Sequence, residues 1–161
     1  MKIRKISVIA LFVSLSVVGA YIKIPAPIAS VALDIFPALV AGVIIDPKAG
    51  GIVAGFGHFV SAFFGGLPLG IFHLMIGFEM ALIVWLFAII YQSKPILASI
   101  LFVFLNGLVA SLPFVFILSF EFYLTLIPSL ILASTFNVLL ALIILPRLES
   151  ILREGEVRIR W

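Results

Sequence analysis

Apolar runs of about 12–25 residues fill the chain, and short polar or proline-bearing breaks separate them. A helix needs about 20 apolar residues to cross a bilayer, within a range of about 17–25. The first run, 3–22, meets that length. Lys23-Ile24-Pro25-Ala26-Pro27 follows it. Two prolines two apart cannot continue a helix, so a stiff extended loop is expected as far as Leu33. A short second helix is predicted over 34–45, with Asp34 as its cap and Pro37 tolerable in its first turn. Asp46-Pro47 repeats that logic and opens a third helix, 47–64. Gly65-Gly66-Leu67-Pro68 reads as a tight turn into a fourth, 69–91. Gln92-Ser93-Lys94 is a polar break, and Pro95 starts a fifth helix, 95–119, with Pro113 inside it. After a turn at Glu121–Tyr123 the sixth helix is expected over 124–145, regular from Pro128 and ending before Pro146-Arg147. Residues 146–161 then form a charged tail in the interface or in water. The expected fold is all-α and integral to a membrane: one domain, 1–161, forming a bundle of six transmembrane helices.

Composition strengthens that class. The chain is 65% hydrophobic and 11% charged, against about 45–50% and about 25% in soluble domains. Charge then orients the bundle. With the N-terminus in the cytosol, Lys2, Arg4, Lys5, Lys48, Lys94, Arg147, Arg153, Arg158 and Arg160 all fall on the cytosolic side, and only Lys23 falls outside. Both termini are therefore expected in the cytosol of a cell with this protein in its plasma membrane. The same distribution explains the basic pI as a topology signal and removes nucleic acid as a partner. The N-terminal lysines and arginine, the apolar run and Val18-Gly19-Ala20 also resemble a secretory signal. A first spanning helix anchored by cytosolic charge is the simpler reading, because further spans follow. Without cysteine there is no disulfide and no thiolate metal site.

Candidate chemistry concentrates in 55–79, which holds both histidines, His58 and His73, and an acid inside an apolar run, Glu79. At about 1.5 Å of rise per residue, His58 and His73 lie in the outer half and Glu79 about 15 Å down, near the midplane. Asn106 falls near the middle of the fifth helix, with Ser111 higher, and Ser134 and Asn137 lie at or below the middle of the sixth. An ionisable group at such depth is costly unless it faces protein or water. Asp34, His58, His73, Glu79 and Asn106 are accordingly the candidate substrate contacts, around a pocket open to the outside. Structural alternatives stand beside each. The histidines can bond neighbouring helices, Glu79 can be a protonated acid bonded to Asn106 or His58, Asn137 can join helices, and Asp34 can be only a cap. Phe72 or Trp85 can stack on an aromatic ring.

Enzyme signatures are scarce. HExxH, G-x-S-x-G and CxxC motifs are absent, as is metal-ligand spacing around the histidines. His58 with Ser61 and Glu79 can be drawn as a hydrolase constellation, but nothing places a nucleophile on a strained turn. No Walker A motif is present, so ATP hydrolysis would belong to partner subunits. No cofactor is expected. Ala10 and Ser14 form a small-x-x-x-small pair suited to a partner helix, whereas Gly51 and Gly55 suit packing within the bundle.

These residues resemble a known family, the S components of energy-coupling factor (ECF) vitamin transporters. Size, predicted spans, the Ala10–Ser14 pair and the proline-bearing loop after the first helix are all similar to that family. The stretches 30–37 and 57–62, then Gly66-Leu67-Pro68-Leu69-Gly70 and His73, look most like the branch assigned to α-ribazole, a building block of cobalamin. The resemblance implies a subunit that binds a vitamin or precursor with high affinity in an outward pocket. It further implies docking through Ala10 and Ser14 to a transmembrane coupling subunit, which works with two ATPases, and toppling in the bilayer to release the ligand. Ser14 stands where that family's docking pattern has alanine. An intramembrane enzyme and a small self-sufficient transporter or channel are the alternatives.

Overall fold

The computed structural model describes residues 2–24 and 31–154. Helix α1 spans Lys2–Tyr21. Beyond it two-residue strands, β1 (Lys23–Ile24) and β2 (Val31–Ala32), pair antiparallel with Lys23 opposite Ala32. The expected extended loop is thus tied at its base, and its prolines, Pro25 and Pro27, lie outside the described residues. The remaining helices are α2 (Phe36–Ile44), α3 (Pro47–Phe64), α4 (Phe72–Tyr91), α5 (Pro95–Phe104), α6 (Pro113–Ile117) and α7 (Phe120–Glu154).

Four described segments are long and apolar enough to cross a membrane: Ile3–Tyr21, Phe72–Tyr91, Pro95–Ile117 and Phe120–Leu152. The outer surface agrees with that setting, since Ile3, Phe56, Phe78 and Phe116 expose large apolar side chains. The other two helices differ in kind. With nine residues, α2 is too short to span alone at about 1.5 Å per residue. It is buried over Pro37–Gly42 and forms the centre of the core. There Leu39 meets Val53 of α3, Val84 and Phe87 of α4, Phe102 of α5 and Leu145 of α7 in one apolar cluster. α3 has the length, but glycines, His58 and Ser61 dilute its apolar character.

Close approach of helices depends on glycine at two crossings. A Cβ on Gly50 would come within 2.5 Å of the Gly42 Cα, so α2 and α3 touch backbone to backbone. At the second crossing a Cβ on Gly55 would lie 3.1 Å from the Gly77 carbonyl oxygen, so α3 also packs closely on α4.

Three expectations need correction. Asp34 does not cap α2, whose N-cap is Ile35 with no side-chain cap of its own. The capping acceptor comes instead from far along the chain, as the Phe36 N–H donates to Asn137 Oδ1 at 2.8 Å. The predicted fifth helix is interrupted by a π-helical turn, Leu105–Val109, in which the Ala110 N–H reaches back five residues to the Leu105 carbonyl. Pro113 has no N–H and crowds the carbonyl four residues back, so the helix loosens before it and restarts at α6. Finally, α7 runs unbroken through Pro128 and Pro146 to Glu154. Packed helices re-satisfy what proline disrupts, so a proline within a membrane helix does not end it.

Asp46 caps α3 as expected, accepting from the Ala49 N–H at 2.9 Å. It also pairs with Lys5, which ties α1 to the start of α3. Partial burial alone would raise its pKa, but Lys5 and the N–H groups of Ala49 and Lys48 outweigh that and hold the carboxyl below its ordinary value.

Candidate functional site

A cavity of about 320 Å³ opens between the α2 junction, α3, α4, the π-helical turn, α6 and α7. It brings together Asp34, His58, His73 and Asn106, four of the five residues expected to contact substrate. They come from four different segments, and only the fold makes them neighbours. Glu79, the fifth, does not line this cavity. It is half-buried on α4, three residues past the lining residue Ile76, and its Oε2 is buried with no hydrogen-bond partner. The alternative partners considered for it are otherwise engaged: Asn106 bonds to Ser134, and His58 to His73.

Helix α7 supplies contacts that were not among the five. Leu126, Ser129, Leu130, Ala133, Ser134 and Asn137 all line the cavity. Their spacing of three and four residues marks one helix face, and that stripe was available in the sequence. Asn137 itself is committed to structure. Its Oδ1 accepts from the Phe36 N–H, and its Nδ2 donates to the carbonyls of Ala32 and Ala133, each bond being 2.8 Å. It is fully buried and clamps β2 and α2 onto α7.

The Ser134 hydroxyl donates to the Leu130 carbonyl at 2.6 Å, so it must accept from Asn106 Nδ2 at 2.8 Å. That orientation leaves Asn106 Oδ1 without a partner among the described residues. Ser129 likewise has no partner there, whereas Ser111 donates back into its own helix at Leu108. On the other wall, the Leu69 N–H donates to His73 Nε2 at 3.3 Å. His73 Nε2 is therefore bare, and its Nδ1–H donates to His58 Nε2 at 3.1 Å. The His58 proton then sits on Nδ1.

Ser61 Oγ donates to the His58 backbone carbonyl at 2.9 Å, not to an imidazole, so the drawn hydrolase constellation is not assembled. No group of three or more His, Asp or Glu side chains suited to a metal occurs among the described residues. Phe72 meets Phe114 edge-on with ring centroids 6.4 Å apart, and Phe114 lines the cavity. Trp85 lies elsewhere, in a wider groove of about 680 Å³ on the outside of α3 and α4. That groove is walled by Phe56, Phe59, Phe78 and Leu82, with Lys48 and His73 its few polar members. The smaller cavity, with its convergent polar groups, fits a small-molecule site.

Among curated proteins, none matches the chain significantly. A protein-family comparison is decisive: the family described as "ECF transporter, substrate-specific component" matches residues 4–151. With its apolar helices, its interior cavity and that match over most of its length, the chain belongs to the family of ECF transporter substrate-specific components.

Proposed function

We propose that this chain captures a vitamin or vitamin precursor from outside the cell, with α-ribazole as the leading ligand, for an ATP-driven importer. The observation that carries this reading is the polar cavity within an apolar bundle, where Asp34, His58, His73 and Asn106 converge. The Asn106 oxygen, the His58 Nδ1–H, the Asp34 carboxylate and the Ser129 hydroxyl offer both acceptors and donors to a hydroxylated, ring-bearing ligand. Phe114 supplies an aromatic wall. Glu79 keeps a place in the proposal because it carries a buried carboxyl oxygen without a partner among the described residues and lies on α4 between the lining residues Ile76 and Met80.

The proposed topology has six crossings with both termini in the cytosol of a prokaryotic plasma membrane. The distribution of lysine and arginine supports it. Where α2 and α3 fall short as independent spans, burial against the four longer helices supports their passage.

The proposed partners are a transmembrane coupling subunit and two ATPase subunits. Ala10 and Ser14 are exposed on α1, and the Ser14 hydroxyl donates to the Ala10 carbonyl at 3.0 Å. The serine thus presents a small, satisfied surface to an approaching helix.

The test is to purify the chain, identify any co-purified small molecule by mass spectrometry, and measure thermal stabilisation with a vitamin panel that includes α-ribazole. Stabilisation by one member at submicromolar concentration is expected. Turnover by the isolated chain without stabilisation by any member would sink the capture reading. Ala10→Trp is expected to abolish assembly with the coupling subunit while leaving ligand stabilisation intact.

A further inference from the structure

Helices α3 and α4 are joined by a connection in an unusual backbone conformation. Gly66 and Gly70 have φ of 86° and 56°, and Leu67, which is not glycine, has φ of 49°. Short backbone bonds fold this connection, from the Leu67 N–H to the Ala62 carbonyl and from the Gly70 N–H to the Leu67 carbonyl, each 2.8 Å. Leu69 lines the cavity. Its N–H is held by one side chain, His73, which in turn is held by His58.

We propose that His73, supported by His58, is a positioning residue that holds the 65–71 connection against the cavity, and does so only while both imidazoles are neutral. The inference rests on the capture reading only for its effect on ligand.

The reason lies in hydrogen counting. A backbone N–H can only donate, so His73 Nε2 must carry no proton. The single proton of neutral His73 then lies on Nδ1, and the facing His58 Nε2 must also be bare. A further proton has two places to go within this chain of bonds, His58 Nε2 or His73 Nε2. Either choice sets two hydrogens against each other, across the 3.1 Å contact or across the 3.3 Å contact. Protonation therefore breaks the pair or releases Leu69.

The surrounding charges do not relieve this conflict. Asp34 lines the same cavity but bonds to neither imidazole. Glu79 lies six residues further along α4, and Lys48 sits at the opposite end of α3. From α1, Lys5 is paired with Asp46, and Arg4 and Tyr21 are exposed. Helix α2, α5, the π-helical turn and α6 contribute no titratable side chain, and Glu121 and Tyr123 lie at the start of α7. Among the described side chains no cation is placed to keep the pair neutral as the medium acidifies.

The experiment needs no ligand for its first readout. Amide hydrogen exchange is measured on the full chain in lipid nanodiscs, corrected for the intrinsic pH dependence of exchange. Protection at Leu69 should fall by about tenfold or more between roughly pH 8 and pH 5. The His73→Gln variant keeps an oxygen acceptor for the Leu69 N–H and does not titrate, so its protection should be independent of pH. The second readout is α-ribazole affinity, which should weaken in acid for the wild-type chain and stay level in His73→Gln. Equal pH responses of the two chains at Leu69, or no response in either, would overturn the proposal. A pH-dependent Leu69 with no α-ribazole binding would uphold the positioning role and count against the proposed ligand alone.

Discussion

The two walls of the cavity are built in opposite ways. On one side α3 and α4 cross backbone to backbone at Gly55 and Gly77, and their polar side chains bond to each other and to Leu69. On the other side the backbone is irregular: a π-helical turn carries Asn106, and Gly107 within it lets Ile131 of α7 approach. There Asn106 Oδ1 and Ser129 remain without protein partners among the described residues. Tight crossing thus makes a wall whose polar groups mostly bond one another, with the His58 Nδ1–H left unbonded among the described residues. The interrupted helix makes a wall whose polar groups keep unbonded atoms, in keeping with the frequent placement of π-turns at functional sites.

The contrast can be broken most strongly at the rigid wall. Gly55→Leu would force a side chain into the Gly77 carbonyl, 3.1 Å from where its Cβ would stand. A loss of about 3 kcal/mol in unfolding free energy is expected, because overpacking displaces both helices. Unfolding in mixed micelles with increasing denaturing detergent measures it, and an unchanged midpoint would show that the crossing is looser than described.

A smaller loss is expected where α2 is joined to α7. Asn137→Ala leaves the Phe36 N–H and the Ala32 carbonyl without their partner. Each orphaned buried group costs about 1–3 kcal/mol, so at the lower end for both roughly 2 kcal/mol in stability should be lost. The same assay should show that loss, and amide hydrogen exchange should be faster at Phe36. Full stability in this variant would mean that α2 is held by apolar packing alone.

The smallest structural effect, and the clearest functional one, belongs to the open wall. Asn106→Ala should leave stability within about 1 kcal/mol of wild type while weakening ligand binding about tenfold, the size of one good hydrogen bond. Titration calorimetry with the ligand found by the panel checks this. Equal affinity would move recognition to the Asp34 side of the cavity.

Much of the bundle was legible from local pattern. The apolar runs located α1, α3 and α4 to within a few residues, because a membrane permits few alternatives to a helix and proline or glycine marks its ends. Asp46 was readable as a cap because capping there is a three-residue affair, closed by the Ala49 N–H. Asp34 looked the same in sequence and proved different, because its helix takes its cap from Asn137, 101 residues away. Pro146 read as a stop, yet α7 continues past it.

For the site, the sequence alone determined which side chains were chemically unusual for their depth: His58, His73, Glu79 and Asn106 among them. That judgement needs only hydropathy and the cost of placing polar groups in hydrocarbon. Tertiary structure alone decided which of them share a cavity. It placed Asp34, His58, His73 and Asn106 on common walls and left Glu79 off them. It also decided which groups remain open, since Asn137 is spent on β2 and α2 while Asn106 keeps an oxygen without a partner among the described residues. The physical reason is that a helix position sets depth through rise per residue, whereas facing and partnership depend on rotation and on neighbours brought from distant sequence.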